Sequence, residues 1–431
     1  MKITLISHSS VLIETPGASI WCDPWLAGKA FGDSWALLDE PAGVETAIET
    51  ATHVWISHEH PDHFHISTLK GLPTDFKNRV TLLFQDDGMT KMPDAFRSLG
   101  FQNIQLMPHR EFVQVGNSKV YCYQQGPMNS ALSLVHEETC VLNLNDCELT
   151  PTDVKLLIQD LPEITTLLTQ FSIAGYGGAG SLDDQAQQVL HNVALDHARL
   201  GAANTIPFAS FVYFCRADNE FINSHANTIE DVVNMAADRQ VELVVLKNGQ
   251  TFDTDEEQAH DNTLARDHWR SIFDCLASRE IDELCPVPVE QIAEAVFHRS
   301  AQLKSMYPNL VLRWLGPVVV EVPDLQMTVL IDCGLGTAMP TELPANIQMH
   351  SEALLIAFKS PFGIQTVGVG GRYKVISEPK RWRRYRILSS MNNAGIPLRL
   401  GKLLKKEFFV ASSGRLRGSL AQARGQLART K

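Results

Sequence analysis

The stretch His58-Glu59-His60-Pro61-Asp62-His63 decides the reading of this chain. Five of its six positions carry metal-ligating side chains. It follows the apolar run His53-Val54-Trp55-Ile56-Ser57, which reads as a short strand. A rigid strand end opening into a tight loop spreads such side chains around two metal ions. Two imidazoles two residues apart, His58 and His60, grip one ion. Asp62 and His63, turned away by the loop, serve a second. Imidazole nitrogen and carboxylate oxygen suit borderline ions such as zinc and iron. Packing alone gives no reason for so dense a polar cluster.

Working outward, short β-rich runs separated by turns recur at residues 3–6, 11–14, 79–84, 119–123, 139–144 and 241–246. Helical spacing appears at 183–200 and 229–238. Interleaved strands and helices, read as lacking a Gly-x-Gly-x-x-Gly fingerprint, point to a layered α/β fold rather than a dinucleotide-binding one. Residues 1–253 read as one domain. Residues 254–306 are polar and helical, the pattern of a linker or lid. After Tyr307-Pro308 the character changes. Runs at 311–314, 318–322, 327–331 and 354–358 read as strands of a smaller C-terminal α+β domain over 307–375. Residues 376–431 form a basic tail.

The histidine-rich loop resembles the signature of the metallo-β-lactamase-fold superfamily. That resemblance implies an αββα sandwich with a dinuclear metal site at one edge of its two sheets. Asp23-Pro24-Trp25-Leu26 resembles a segment of the branch containing N-acyl-phosphatidylethanolamine phospholipase D, ascorbate-phosphate lactonase and CMP-N-acetylneuraminate hydroxylase. Phe31, Trp35, Asp39-Glu40-Pro41 and Pro207-Phe208-Ala209-Ser210-Phe211 continue the likeness to the hydroxylase family, over roughly residues 1–253. Asn145-Asp146-Cys147 resembles the strand end whose aspartate bridges the two metals, which makes Asp146 the bridge. Phe221-Ile222-Asn223-Ser224-His225 resembles the segment carrying the last ligand, which makes His225 that ligand.

One histidine of the family pattern is missing. The corresponding stretch runs Tyr123-Gln124-Gln125-Gly126-Pro127-Met128-Asn129-Ser130. His109 and His136 lie nearby but outside the matching position. Gln125 and Asn129 offer amide oxygens as substitutes, and His8 and Asp23 are placed to contact the site or its ligands. The expected assignment gives one ion His58, His60 and Asp146, and the other Asp62, His63, His225 and Asp146. Two histidines plus a carboxylate also serve non-haem iron, so the departure leaves room for oxygen chemistry. The hydroxylase family's iron–sulfur domain uses Cys-x-His and Cys-x-x-His pairs, and this chain has neither.

Among 431 residues, eight cysteines form no Cys-x-x-Cys pair, so no disulfide framework or zinc ribbon is indicated. No apolar run is long enough to span a membrane and the N-terminus lacks a signal-peptide layout, so a cytoplasmic protein is expected. No Gly-x-Ser-x-Gly elbow occurs. Gly175-Tyr176-Gly177-Gly178-Ala179-Gly180 lacks the lysine of a P-loop and reads as a loop near the metals. The net charge of −12 hides an asymmetry: residues 372–431 hold 16 basic and 2 acidic side chains. Such a basic end suits an acidic carrier protein, an anionic surface, or the acidic body of the chain itself. An acidic catalytic domain is a poor match for nucleic acid. Residues 346–358 with Phe362-Gly363 and Gly370-Gly371-Arg372-Tyr373 loosely resemble sterol-carrier-like pockets.

The expected activity is metal-dependent hydrolysis of an ester, lactone, amide or phosphodiester in a small-molecule substrate. Two zinc or iron ions are the expected cofactors, and Asp62 the catalytic group that orients water and takes its proton. The alternatives are a di-iron oxygenase on the same fold and a binding protein with a degenerate site.

Overall fold

The computed structural model describes residues 1–126, 128–256, 260–377 and 380–393. The basic segment from 394 onward lies outside the described residues, so most of the expected tail does too.

Two sheets face each other in the N-terminal part. The first orders its strands Thr251–Asp253, Lys2–Ser7, Ser10–Thr15, Ala18–Cys22, His53–Trp55, Thr81–Gln85 and Asn103–Met107. The second runs Asn204–Phe208, Thr166–Gln170, Thr139–Asn145, Asn129–His136, Ser118–Gln125 and Phe112–Val115. Side chains alternate across each strand. Val11 and Ile13 enter the core between the sheets, while Leu12 points to the outer helices. Val141 faces the same inner core, and Cys140 and Leu142 face outward. Helices Ile66–Gly71, Thr74–Arg79 and Lys91–Ser98 cover the first sheet through Leu69, Phe76 and Phe96. Helix Pro151–Asp160 covers the second through Val154 and Leu157. The result is the αββα sandwich expected of the loop's family.

Strand order fixes where the site forms. Ala18–Cys22 pairs in parallel with His53–Trp55, placing Cys22 opposite Trp55. Asp23 and the loop beginning at Ser57 therefore leave the sheet side by side. Thr139–Asn145 ends on the facing sheet and delivers Asp146 to the same edge.

The C-terminal part has its own core around a five-stranded sheet, which includes Val318–Val322 and Met327–Asp332. Residues 311–314 and 354–358, expected as strands, are helical: Asn309–Leu315 and Ser351–Lys359. Short apolar runs do not separate strand from buried helix by periodicity. Leu312 with Leu315, and Leu354 with Ala357 and Phe358, bury one helical face each. Residues 241–246 form no strand; they make one isolated bridge, Thr205 to Leu243. Side chains occupy the backbone groups a ladder would use. Asn262 binds Val245 N at 2.7 Å and Leu243 O at 2.9 Å, and Trp269 donates to Leu246 O at 2.9 Å.

Residues 254–306 are divided between the two cores. Helix Thr263–Asp274 packs Trp269 flat on Phe211, with ring centroids 3.9 Å apart, in the N-terminal core. Helix Val289–Met306 places Ile292, Val296 and Leu303 in the C-terminal core. The glycines at 175, 177 and 180 do have Gly-x-Gly-x-x-Gly spacing between a strand and a helix. They serve packing of the two parts. A Cβ on Gly175 would lie 2.9 Å from Val369 O, and one on Gly178 would lie 2.5 Å from the Tyr373 ring.

Candidate metal centre

The loop after Ser57 brings four sequence-predicted ligands together with His8. His8, Asp62 and His63 form one group of metal-ligating atoms, and His58, His63 and Asp146 a second. His63 Nε2 stands 3.2 Å from Asp62 Oδ2 and 3.3 Å from Asp146 Oδ1. His58 Nε2 stands 3.5 Å from Asp146 Oδ2. Asp146 thus turns one oxygen toward each histidine, as a bridging carboxylate must. His60 is in neither group, but its Nδ1 faces His58 Nε2 at 2.9 Å.

Gln125 and Asn129 hold the backbone at and just after Asp146. The Gln125 amide binds both Glu148 N, at 3.0 Å, and Glu148 O. Asn129 Nδ2 donates to Asp146 O at 3.2 Å. His225 ends the short helix Glu220–His225, where its Nδ1 meets Asp183 Oδ1 at 2.6 Å. It belongs to neither ligand group. The place beside Asp62 is taken by His8, whose Nε2 lies 3.4 Å from Asp62 Oδ2.

Asp23 orders the site from beneath. It is fully buried with a left-handed φ of 40° at the end of its strand. Its carboxylate accepts from Ser57 N at 2.8 Å, from Ser57 Oγ at 2.7 Å and from Asn145 Nδ2. It also meets His63 Nδ1 at 3.0 Å. A proton held on Nδ1 leaves the His63 Nε2 lone pair facing the ligand group. Ser57 and Asn145 were not evident as functional residues from the sequence. Asn145 is also left-handed, with φ 55°, and that conformation carries its amide back to Asp23.

Charges match this layout. Burial opposes ionisation of Asp62, yet His63 and His8 beside it hold its carboxyl well below the usual range. Burial likewise opposes the Asp146 charge, and His63 and His58 outweigh it. His63 is raised despite burial by Asp62, Asp146 and Asp23. Burial, helped by His58, pushes His60 down to about 4.

Several buried atoms have no hydrogen-bond partner: both ring nitrogens of His8, Asp62 Oδ1 and His63 Nε2. Orphaned buried polar atoms are costly unless a ligand satisfies them. A tetrahedral ion with bonds of about 2.0–2.1 Å sets its ligand atoms about 3.3–3.4 Å apart. The four His–Asp separations given above run from 3.2 to 3.5 Å. The residues fit metal ions.

Comparison with known proteins agrees with this architecture. Residues 2–158 match the family model described as a beta-lactamase superfamily domain. A putative Rieske 2Fe-2S iron-sulfur protein, Rv3818, of Mycobacterium tuberculosis (strain ATCC 25618 / H37Rv) is 28% identical over 183 residues, covering 40% of this chain and 34% of that protein. Cytidine monophosphate-N-acetylneuraminic acid hydroxylase of Mus musculus is 27% identical over 154 residues, 34% of this chain and 26% of that protein. The chain therefore spans about a third or less of the length of these relatives. Isothiocyanate hydrolase from Delia radicum gut bacteria superposes with a TM-score of 0.43 at 17% identity, covering 59% of this chain and 98% of that one. No helix among the described residues is long and apolar enough to cross a membrane. The match takes in the histidine loop and the strand end at Asp146, so it is residues 2–158 that resemble a beta-lactamase superfamily domain.

Proposed function

We propose that the chain is a dinuclear metal-dependent hydrolase acting on an ester, lactone, amide or phosphodiester of a small molecule. The observation that carries this reading is the buried set of unpartnered donor atoms on His8, Asp62 and His63, spaced as ligands of an ion. His8, Asp62 and His63 would hold one divalent ion and His58 and His60 the other, with Asp146 shared. When bound, such ions polarise a scissile group and lower the pKa of water.

The protein's own groups supply the rest. Asp62 Oδ1 is unpartnered and accepts the proton of the attacking water. Ser9 Oγ donates to Asp62 O at 3.2 Å and fixes that residue's backbone. Asp23 holds His63 in one tautomer and orientation. Trp25 and Trp35, both buried, pack edge-on around His8 and exclude water from its far side.

The test is metal content of protein purified without added metal, followed by an ester, lactone and phosphodiester panel. About two zinc ions per chain and hydrolysis that chelation abolishes and zinc restores are expected. No bound metal, and none regained on titration, would sink the enzyme reading and leave a binding role. A second reading, a di-iron oxygenase, is favoured by the donor set. It contains only nitrogen and oxygen, which suits iron as well as zinc, and a hydroxylase stands among the relatives. About two iron ions per chain with substrate-dependent oxygen consumption would decide for it.

A further inference from the structure

Beside His60 lies a chamber of about 450 Å³ whose walls come from both parts of the chain. Phe31, Phe64 and Met92 form the N-terminal side; Phe362, Thr366 and Val369 form the C-terminal side. The charged groups around it are already paired. Glu59 pairs with Lys91, Lys91 lies 4.6 Å over the Phe362 ring, and Lys29 meets Asp282 at 2.5 Å. The C-terminal wall is fixed rather than loosely apposed. Gly32, with φ 62°, leaves only 3.2 Å between a would-be Cβ and Thr366 Cγ2. Asn219 Nδ2 ties Ser34 O at 3.0 Å to Gly370 O at 2.7 Å. The space is of ligand size, apolar, and opens onto a residue of the metal loop.

We propose that the substrate carries an apolar acyl body seated in this chamber, and that the C-terminal domain sets specificity through Phe362, Thr366 and Val369. The exposed lining is mostly apolar, so a sugar or nucleotide would regain few of the hydrogen bonds to water that it loses there. An acyl chain loses none, and each methylene it buries adds binding. This inference rests on the hydrolase reading above.

The experiment uses the full chain loaded with zinc and a series of p-nitrophenyl esters from acetate to octanoate. The expected kcat/KM rises about two- to fourfold per added methylene. Ala95 also lines the N-terminal side, so Thr366→Trp and Ala95→Phe fill the chamber from opposite walls. Each is expected to lower the octanoate-to-acetate ratio of kcat/KM at least about tenfold, mainly through KM for octanoate. A flat series, or a ratio that neither variant changes, overturns the proposal. If no ester is cleaved, the hydrolase reading fails by itself, and binding of 1-anilinonaphthalene-8-sulfonate decides the chamber's role. Probe binding that octanoate displaces and both variants weaken supports an apolar site. Absent binding, or binding indifferent to both variants, overturns it.

Discussion

His63 Nδ1 lies 3.0 Å from Asp23 Oδ2, and both side chains are wholly buried. Forty residues separate them in sequence, yet adjacent parallel strands end at this one place. The aspartate does not face the ligand groups directly. It sets which nitrogen of His63 does.

Asp23→Asn keeps the volume and removes the charge. The amide cannot accept from Ser57, Asn145 and His63 together. Metal affinity is expected to fall about 10- to 100-fold with the fold retained. Competition with a chromophoric chelator, alongside circular dichroism, measures both. Unchanged affinity would remove Asp23 from the site.

His8 and His225 separate cleanly. His8→Ala should lose about one ion per chain, because His8 stands in a ligand group. His225→Ala should lose little, because His225 stands in neither ligand group. Metal analysis after gel filtration reads this. Metal should also raise the thermal midpoint of wild type, by an amount equivalent to about 2.7 kcal/mol at a hundredfold excess over Kd. A larger loss in the His225 variant would reverse the assignment.

Arg372 is 1% exposed and binds Asp218 through Nε at 2.9 Å and Glu352 through Nη2 at 3.3 Å. Glu352 also accepts from Arg216 and from Cys285 N. Burial already pushes Asp218 up against the pull of Arg372. Arg372→Ala leaves partly buried Asp218 without its cationic partner, while Glu352 keeps Arg216, at a cost of about 1–3 kcal/mol. Urea unfolding should show an earlier transition, with the C-terminal part becoming more sensitive to protease.

Two glycines make a controlled pair. Gly178→Ala meets the Tyr373 ring at 2.5 Å and also suffers φ 77°. Gly201→Ala meets nothing within 4 Å at φ 62°. The second should cost about 1–2 kcal/mol from backbone strain alone. The first should cost more, and the difference reports how tightly the glycine loop is pressed against the C-terminal part.

Acid sensitivity follows from histidines outside the ligand groups. Burial lowers His53, His109 and His197 below their ordinary value. Below the unfolded pKa of about 6.5 the unfolded chain binds more protons at these sites than the folded one. Their contribution is therefore present above that pH and is lost as pH falls through the lower folded values. The thermal midpoint should drop between pH 7 and 5. A triple His→Gln variant should show a shallower drop; an identical slope would refute the assignment.

The sequence by itself determined the local features. A ligand-rich loop after an apolar strand and the interleaving of strands with helices are written in spacing and alternation, which depend on neighbours along the chain, whereas the αββα layering and the place of Asp146 were implied by the motifs' resemblance to a family. Tertiary structure decided the rest. The distances that join Asp23 to His63 and His8 to Asp62 come from strand pairing: Ala18–Cys22 runs parallel to His53–Trp55, and His8 sits in the turn of the antiparallel pair Lys2–Ser7 and Ser10–Thr15. Helices Asn309–Leu315 and Ser351–Lys359 carry apolar runs too short for periodicity to separate helix from strand, so only their packing settled the choice. The glycines at 175–180 read from the sequence as a loop near the metals, yet Val369 and Tyr373, nearly two hundred residues away, press against Gly175 and Gly178. A glycine's use depends on what approaches it, and that is a property of the folded chain.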